Sequence, residues 1–280
     1  MQPRIPAVKE VAMNWIGKLV GALLGFILSR RPLGVLIGLI LGHLYDQHSA
    51  RASMGPRVDP ALVRSTFFRT AFTVMGHVAK SDGRVSEQDI GAARRIFRQF
   101  KLTEADTHAA IDCYTQGKDN AFELAAALEE LVTVCRGRGD LLRMFMEVQM
   151  RAALMGDGLQ GATRATLMRI APALSIGAIE FAHLETVLRL QGFGADSRGG
   201  FRPGATAGRD ALAEAYEVLD VPPNASDAEV KRAYRRLMSQ NHPDKLVARG
   251  LPESMLEVAK QKTQAIQAAW ERIRESRGMR

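Results

Sequence analysis

The feature that most constrains this chain is a long apolar segment near its N-terminus, from Trp15 to Tyr45. It exceeds the apolar core of a signal peptide and lacks an obvious small-residue cleavage site. We predict a transmembrane anchor over residues 15–45, preceded by a short tail over 1–14. Arg30-Arg31-Pro32 divides it into two pieces, each roughly 20 Å long as a helix, against a hydrocarbon core of about 30 Å. Two arrangements stay open: a single tilted span with snorkelling or sheltered arginines, and a re-entrant hairpin.

Glycines recur at four-residue spacing in both apolar pieces. This spacing puts small residues on one helix face and lets two backbones approach closely. We therefore expect self-association in the bilayer, although glycine is also frequent in membrane helices generally. The six positions are Gly17, Gly21, Gly25, Gly34, Gly38 and Gly42.

The composition is that of a largely globular protein of about two domains, with 46% apolar and 24% charged residues. The net charge is +8, but residues 210–280 contain 12 Lys or Arg against 11 Asp or Glu. That near-neutral balance, without interleaved aromatic residues, argues against nucleic-acid binding there. Cys113 and Cys135 have no Cys or His at zinc-ligand spacing and are expected to be reduced core thiols.

Residues 59–192 predict an all-α domain of about seven helices, because apolar residues recur at intervals of three and four and prolines are few. One helix is expected to end at Gly83 and the next to begin at Ser86, which would pair with Asp89 as an N-cap. A weaker version of the same loop pattern occurs at residues 156–159 and suggests that a helical hairpin is duplicated. The predicted core positions include Phe67, Phe68, Ala71, Val74, Met75, Val78, Leu124, Leu128, Leu131, Val132 and Cys135.

These acidic, glycine-containing loops resemble those of the TerB-like helical domain. The resemblance implies candidate metal ligands at Asp82, Glu87 and Asp157. The three residues do not form the ligand series of a calcium loop, and turn formation and helix capping explain them as well. No nucleophile lies beside a base in the sequence, so we predict no enzymatic activity and no cofactor.

Residues 193–209 are rich in glycine and predict a flexible linker, with an end-to-end distance of roughly 20–25 Å. The C-terminal domain would then move freely in search of a partner. In residues 210–280, Ser226 and Glu229 form a capping box at the start of a basic amphipathic helix. The residue before a proline disfavours the helical backbone conformation, so this helix should end at His242, just before Pro243. A third helix from about Pro252 would complete a hairpin with His242-Pro243-Asp244 at its tip.

This C-terminal pattern resembles a J domain, and the order of segments along the chain resembles the DjlA family of membrane-anchored DnaJ-like co-chaperones. Two departures from that family are Arg30-Arg31-Pro32 and about a dozen residues before Met13. The residues that carry the J-domain resemblance are 215–219, 231–237, His242-Pro243-Asp244-Lys245, Gln261-Lys262, Ile266 and Trp270.

The resemblance implies a co-chaperone that stimulates the ATPase of a DnaK-type partner and recruits it to the bacterial inner membrane. Unfolded or membrane-associated proteins would be its clients, in envelope stress response or quality control. The chain would span the membrane once, with a periplasmic N-terminus, and its two globular domains would lie with ATP and DnaK in the cytoplasm. The implied DnaK-binding residues are Lys231, Arg232, Arg235, Arg236, His242, Pro243, Asp244 and Lys245.

Two other functions are alternatives to this one. A nucleic-acid-binding protein would use Arg232, Arg235 and Arg236 as phosphate contacts. A stress-sensing scaffold would bind a metal or an envelope protein through the TerB-like domain and use its C-terminal domain only to recruit DnaK.

Overall fold

The computed structural model describes residues 58–193 and 209–279, and these residues are helical and contain no strand. The all-α prediction is confirmed. The predicted anchor, its six glycines and most of the predicted linker lie outside the described residues. The helices are α1 (Pro60–Ala79), α2 (Glu87–Gln99), α3 (Glu104–Gly117), α4 (Leu124–Val134), α5 (Gly139–Met155), α6 (Gly161–Ala173), α7 (Ala178–Leu190), α8 (Arg209–Val218), α9 (Asp227–Asn241), α10 (Pro243–Ala248) and α11 (Leu256–Arg277), with a 3₁₀ turn at Glu253–Met255.

Helices α1–α7 form the middle domain, in agreement with the predicted seven. Its centre is the packing of α1 on α3, α4 and α5, where Phe67 meets Phe145 edge to face at 5.7 Å between ring centroids. Two glycines allow α1 and α3 to cross closely. A Cβ on Gly76 would lie 2.0 Å from the Tyr114 carbonyl oxygen, and one on Gly117 would lie 1.8 Å from that of Thr73.

The predicted core of the middle domain is largely correct. Phe68, Leu124 and Val132 are only half-buried, whereas the other predicted positions are buried. The predicted capping box at Ser86 is present, since Ser86 and Asp89 bond to each other's backbone amides. Cys135 is fully buried, and burial raises the pKa of its thiol to about 12. Cys113 is only partly buried, so it differs from a true core thiol.

Helices α8–α11 form the C-terminal domain, whose α8 and α9 both pack on α11. Arg277, near the end of α11, connects α8 to the start of α9. Its guanidinium donates to the Tyr216 hydroxyl at 2.6 Å, to the Ala225 carbonyl at 2.6 Å and to Asp227 at 3.0 Å. The small core of the C-terminal domain consists of Ala215, Tyr216, Leu219, Ala225, Val230, Ile266, Ala269 and Ile273.

The C-terminal domain packs against the middle domain, and this differs from the freely moving domain that the linker composition predicts. Helix α7 packs on α8. Arg249 pairs with Asp140, and Lys262 pairs with the buried Glu147. Linker composition governs only how far a domain can travel, whereas side-chain complementarity determines whether it docks. Within residues 58–193 and 209–279, no helix has both the length and the apolar character needed to cross a bilayer.

Candidate functional site: the basic helix and the tip motif

Helix α9 begins where the sequence predicts. The Ser226 amide donates to Glu229 Oε2 at 2.8 Å, and the Glu229 amide donates to the Ser226 hydroxyl at 3.4 Å. This reciprocal pair satisfies two backbone donors that a helix start otherwise leaves open. The Ser226 hydroxyl and amide donate to the carboxylate and thereby lower the pKa of Glu229.

Four cations form one broad surface of α9, which we call the basic face: Lys231, Arg232, Arg235 and Arg236. Positions i, i+1, i+4 and i+5 lie on the same side of a helix. All four side chains are exposed. Arg236 lies 3.4 Å from Asp220, and the other three form no salt bridge within the described part of the chain.

The opposite side of α9 attaches the helix to the domain. Val230 and Ala233 are buried there. Tyr234 stacks on Trp270 of α11, with 5.0 Å between ring centroids and 16° between planes. An offset stack of this kind adds to the stabilisation from apolar burial. The basic face therefore points away from α11 toward solvent.

The tip motif, His242-Pro243-Asp244, follows α9 directly. His242 ends α9 in an extended conformation, with φ −62° and ψ 125°. Its Nδ1 accepts a hydrogen bond from the Asp244 amide at 3.2 Å, so in the neutral ring the proton lies on Nε2. The Asp244 side chain is 91% exposed. The motif thus presents an imidazole and a carboxylate to solvent from a fixed backbone.

The sequence predicts no helix between the tip motif and about Pro252, but the structure contains the short helix α10 there. Pro243 occupies its first turn and His242 is its N-cap. Proline suits that position because its fixed φ is helical and the missing N–H would have no partner. Lys245 also donates to the Ser239 hydroxyl at 2.6 Å and so ties α10 back to α9. All eight predicted DnaK-binding residues therefore lie on two adjacent helices and their junction.

The candidate metal ligands are not brought into a common site. Asp82 accepts the Arg84 amide at 3.3 Å, which is a turn contact. Glu87 lies in the first turn of α2, and the Asp157 amide donates to Asp89 at 3.4 Å. Across the described ranges, no three His, Cys, Asp or Glu side chains are grouped so that they could hold a metal ion.

Family models match three successive parts of the chain. Residues 13–58 match the co-chaperone DjlA transmembrane domain, residues 69–186 match tellurite resistance protein TerB, and residues 214–277 match the DnaJ domain. The co-chaperone protein DjlA of Coxiella burnetii is 42% identical over 274 residues, which cover 95% of this chain and 100% of that protein. The chain belongs to the DjlA co-chaperone family. No solved structure matches it significantly.

Two further DjlA proteins have similar coverage. That of Escherichia coli K12 is 38% identical over 275 residues, 96% of this chain and 100% of that protein. That of Legionella pneumophila is 36% identical over 297 residues, 96% of this chain and 97% of that protein. The C-terminal domain is thus a J domain, which implies an Hsp70 partner of the DnaK type. The transmembrane match and the DjlA relatives indicate an inner-membrane protein.

Sequence reasoning missed the residues that hold the J domain in place. No pattern in the sequence predicts the role of Arg277; the one available signal is that an arginine near a helix C-terminus is often close to several carbonyls. Glu147 and Arg151 were also missed. Lys262 was identified only through the J-domain resemblance, and no local signal in the sequence could have paired it with Glu147, because the two residues are 115 positions apart.

Proposed function

We propose that this DjlA family member stimulates ATP hydrolysis by a DnaK-type chaperone and recruits that chaperone to the inner membrane. The observation that carries the proposal is the exposed tip motif, held at the end of a helix whose basic face is also exposed. The two features are adjacent, so one partner surface can contact both.

The basic face supplies attraction over a distance. Cations on a rigid helix increase the rate at which an acidic partner surface is encountered, and this increase falls with ionic strength. The tip motif acts after contact, when the exposed Asp244 carboxylate is free to pair with a cation of the chaperone. His242 has no role as an acid or base in this scheme, since its ring caps α10 by accepting the backbone amide of Asp244.

The membrane segment restricts where this stimulation takes place. Because DnaK and ATP are cytoplasmic, the J domain would face the cytoplasm and the N-terminus the periplasm. The glycine spacing in residues 17–42 supports self-association of the anchor. Stimulation would then occur close to the inner face of the membrane, where unfolded or membrane-associated clients are expected.

Single-turnover ATP hydrolysis by DnaK tests the proposal. We expect the full chain, reconstituted in lipid vesicles, to accelerate hydrolysis, and His242→Gln to abolish the acceleration because the N-cap of α10 changes. Asp244→Asn should have a comparable effect, since it removes the charge while nearly keeping the shape of the side chain.

His108→Gln is the matched control, because it makes the same chemical change at an exposed histidine of α3 in the middle domain. It should stimulate like the wild type. Equal stimulation by the wild type and His242→Gln, or no stimulation by the wild type, would contradict the proposed function.

A further inference from the structure

A buried ion cluster joins the J domain to the middle domain. Glu147 of α5 is 2% exposed and pairs with Arg151, which is 0% exposed, at 2.8 Å. Lys262 of α11 donates to the second oxygen of the same carboxylate. Gln261 accepts from Arg151 at 3.2 Å and from Gln99 of α2 at 2.7 Å. One carboxylate is therefore shared between a cation of its own domain and a cation of the J domain.

The charges in this cluster depend on one another. Burial alone would raise the pKa of Glu147, but the Lys262 ammonium and the Arg151 guanidinium outweigh burial and hold the pKa below its ordinary value. Without Lys262, the Glu147 carboxylate would keep a single cationic partner in a buried setting. A buried charge that loses a partner is strongly unfavourable unless water can reach it. Docking of the J domain thus completes the cluster.

The segment between the tip motif and α11 is also anchored on the middle domain. Leu251 and Met255 in this segment, and Val258 in the first turn of α11, are all 0% exposed, yet none belongs to the core cluster of the J domain. A Cβ on Gly250 would lie 2.8 Å from the Val63 Cβ, so the backbone packs directly on α1. Arg249 pairs with Asp140 at 2.5 Å. The chain that follows the tip motif is therefore held by helices of the other domain.

Docking leaves the proposed partner-binding surface open. The side chains of His242 and Asp244 are 49% and 91% exposed in the docked arrangement, and the basic face is exposed as well. A cleft still separates α9 from α7, lined by Arg236 and Leu237 on one side and by Ile179 on the other. The middle domain thus contacts the J domain through α11 and the segment before it, and it leaves the tip motif uncovered.

We infer that Glu147 and Lys262 are positioning residues, which latch the J domain onto the middle domain and thereby hold the tip motif in the orientation that engages the chaperone. The inference rests on the proposed function. It gives the TerB-like domain a role as a scaffold for the J domain. An unlatched J domain would still reach the chaperone through its tip motif, but a smaller fraction of molecules would be correctly arranged at any moment.

The test compares Lys262→Met with the wild type in the full chain reconstituted in vesicles. Docking is measured by zero-length carbodiimide crosslinking of Lys101 to Glu257, whose charged atoms are 3.4 Å apart across the interface. We expect a lower crosslink yield, unchanged maximal stimulation and a higher concentration for half-maximal stimulation. If the docked fraction falls to about one fifth, that concentration rises about fivefold.

Matched variants separate the latch from a general loss of charge. Lys260→Met removes an exposed lysine two positions away on the same helix and should match the wild type in both measurements. Lys262→Arg keeps the cation and should restore most of the crosslink yield. Arg249→Met breaks the second ion pair and should give the same pattern more weakly, which keeps the test usable if Lys262→Met does not fold.

Three results would overturn the inference: an unchanged crosslink yield in Lys262→Met, a lower yield with an unchanged half-maximal concentration, or equal effects from Lys260→Met. A wild type that crosslinks normally but stimulates no DnaK-type chaperone would instead count against the proposed function. The docking measurement needs no chaperone, so the two failures can be told apart.

Discussion

Helices α5 and α9 have similar lengths and opposite surroundings. Of the 17 residues of α5, 13 are buried, including Phe145 and the ion pair of Glu147 with Arg151. Of the 15 residues of α9, only Val230 and Ala233 are buried. Helix α5 is stabilised along its whole length by other helices. Helix α9 has most of its surface exposed, as the proposed function requires, so its stability comes from its ends and from one narrow side.

The two helices show that the two domains depend on different interactions for their stability. The middle domain should respond most to lost apolar volume, because close-packed interiors do not refill a cavity. The J domain should respond to lost caps and to lost contacts with the middle domain. Changes on the basic face should leave stability unaffected and alter binding alone.

Phe67→Ala should have the largest effect on stability. Phe67 is fully buried against Phe145, and truncation of a buried phenylalanine costs about 3–5 kcal/mol. Urea unfolding of the full chain in detergent, followed by circular dichroism, measures the loss. Leu62→Ala on the same helix is the control, because Leu62 is 51% exposed, and should cost less than about 1 kcal/mol. Similar losses in both variants would contradict the packing of α1.

Ser226→Ala should have an intermediate effect. It removes the N-cap of α9, and such a loss costs about 1 kcal/mol. Fluorescence of Trp270 measures it, in a background where Trp15 is replaced by phenylalanine, because Trp270 stacks on Tyr234 of α9. Asn224→Ala, just before the cap, should change stability less.

The effect of Ser226→Ala should also depend on pH. The native pKa of Glu229 lies below its usual value of 4.5 because Ser226 donates to the carboxylate. This contribution is present above pH 4.5 and is lost as the pH falls through the lower native pKa. The difference between the wild type and Ser226→Ala should therefore shrink in acid, and a difference that grew would count against the capping box.

Arg235→Gln should have the smallest effect on stability, within about 0.5 kcal/mol, because its side chain is exposed and forms no salt bridge with a described residue. It should nevertheless slow association with DnaK a few-fold at low salt, and high salt should remove the difference. Stopped-flow binding measures both. Arg94→Gln, at an exposed position of α2, is the matched control. Equal slowing by both variants would show that only net charge matters.

Much of the site could be predicted because its signals are local. Ser226 and Glu229 are three residues apart, and the proline of the tip motif disfavours helix at the residue before it. The start and end of α9 follow from these neighbours alone. Helix α10 was missed because His242 ends one helix and caps the next, and propensities offer little guidance at such a junction. The candidate metal ligands do not converge: Asp82 accepts an amide within its own turn, Glu87 lies in the first turn of α2, and turn formation and a place near a helix start were the other explanation that the sequence offered.

The sequence by itself determined the all-α fold, the seven helices of the middle domain, the capped basic helix and the position of the tip motif. Each of these features depends on the spacing of residues within a few turns of helix, and such short-range spacing can be recognised directly in the sequence. Only the tertiary structure placed Lys262 on Glu147 and Gly250 against Val63. These contacts join residues more than a hundred positions apart, and they arise from the shapes and charges of two folded surfaces. The docking that gives the tip motif its orientation could therefore not be read from the sequence.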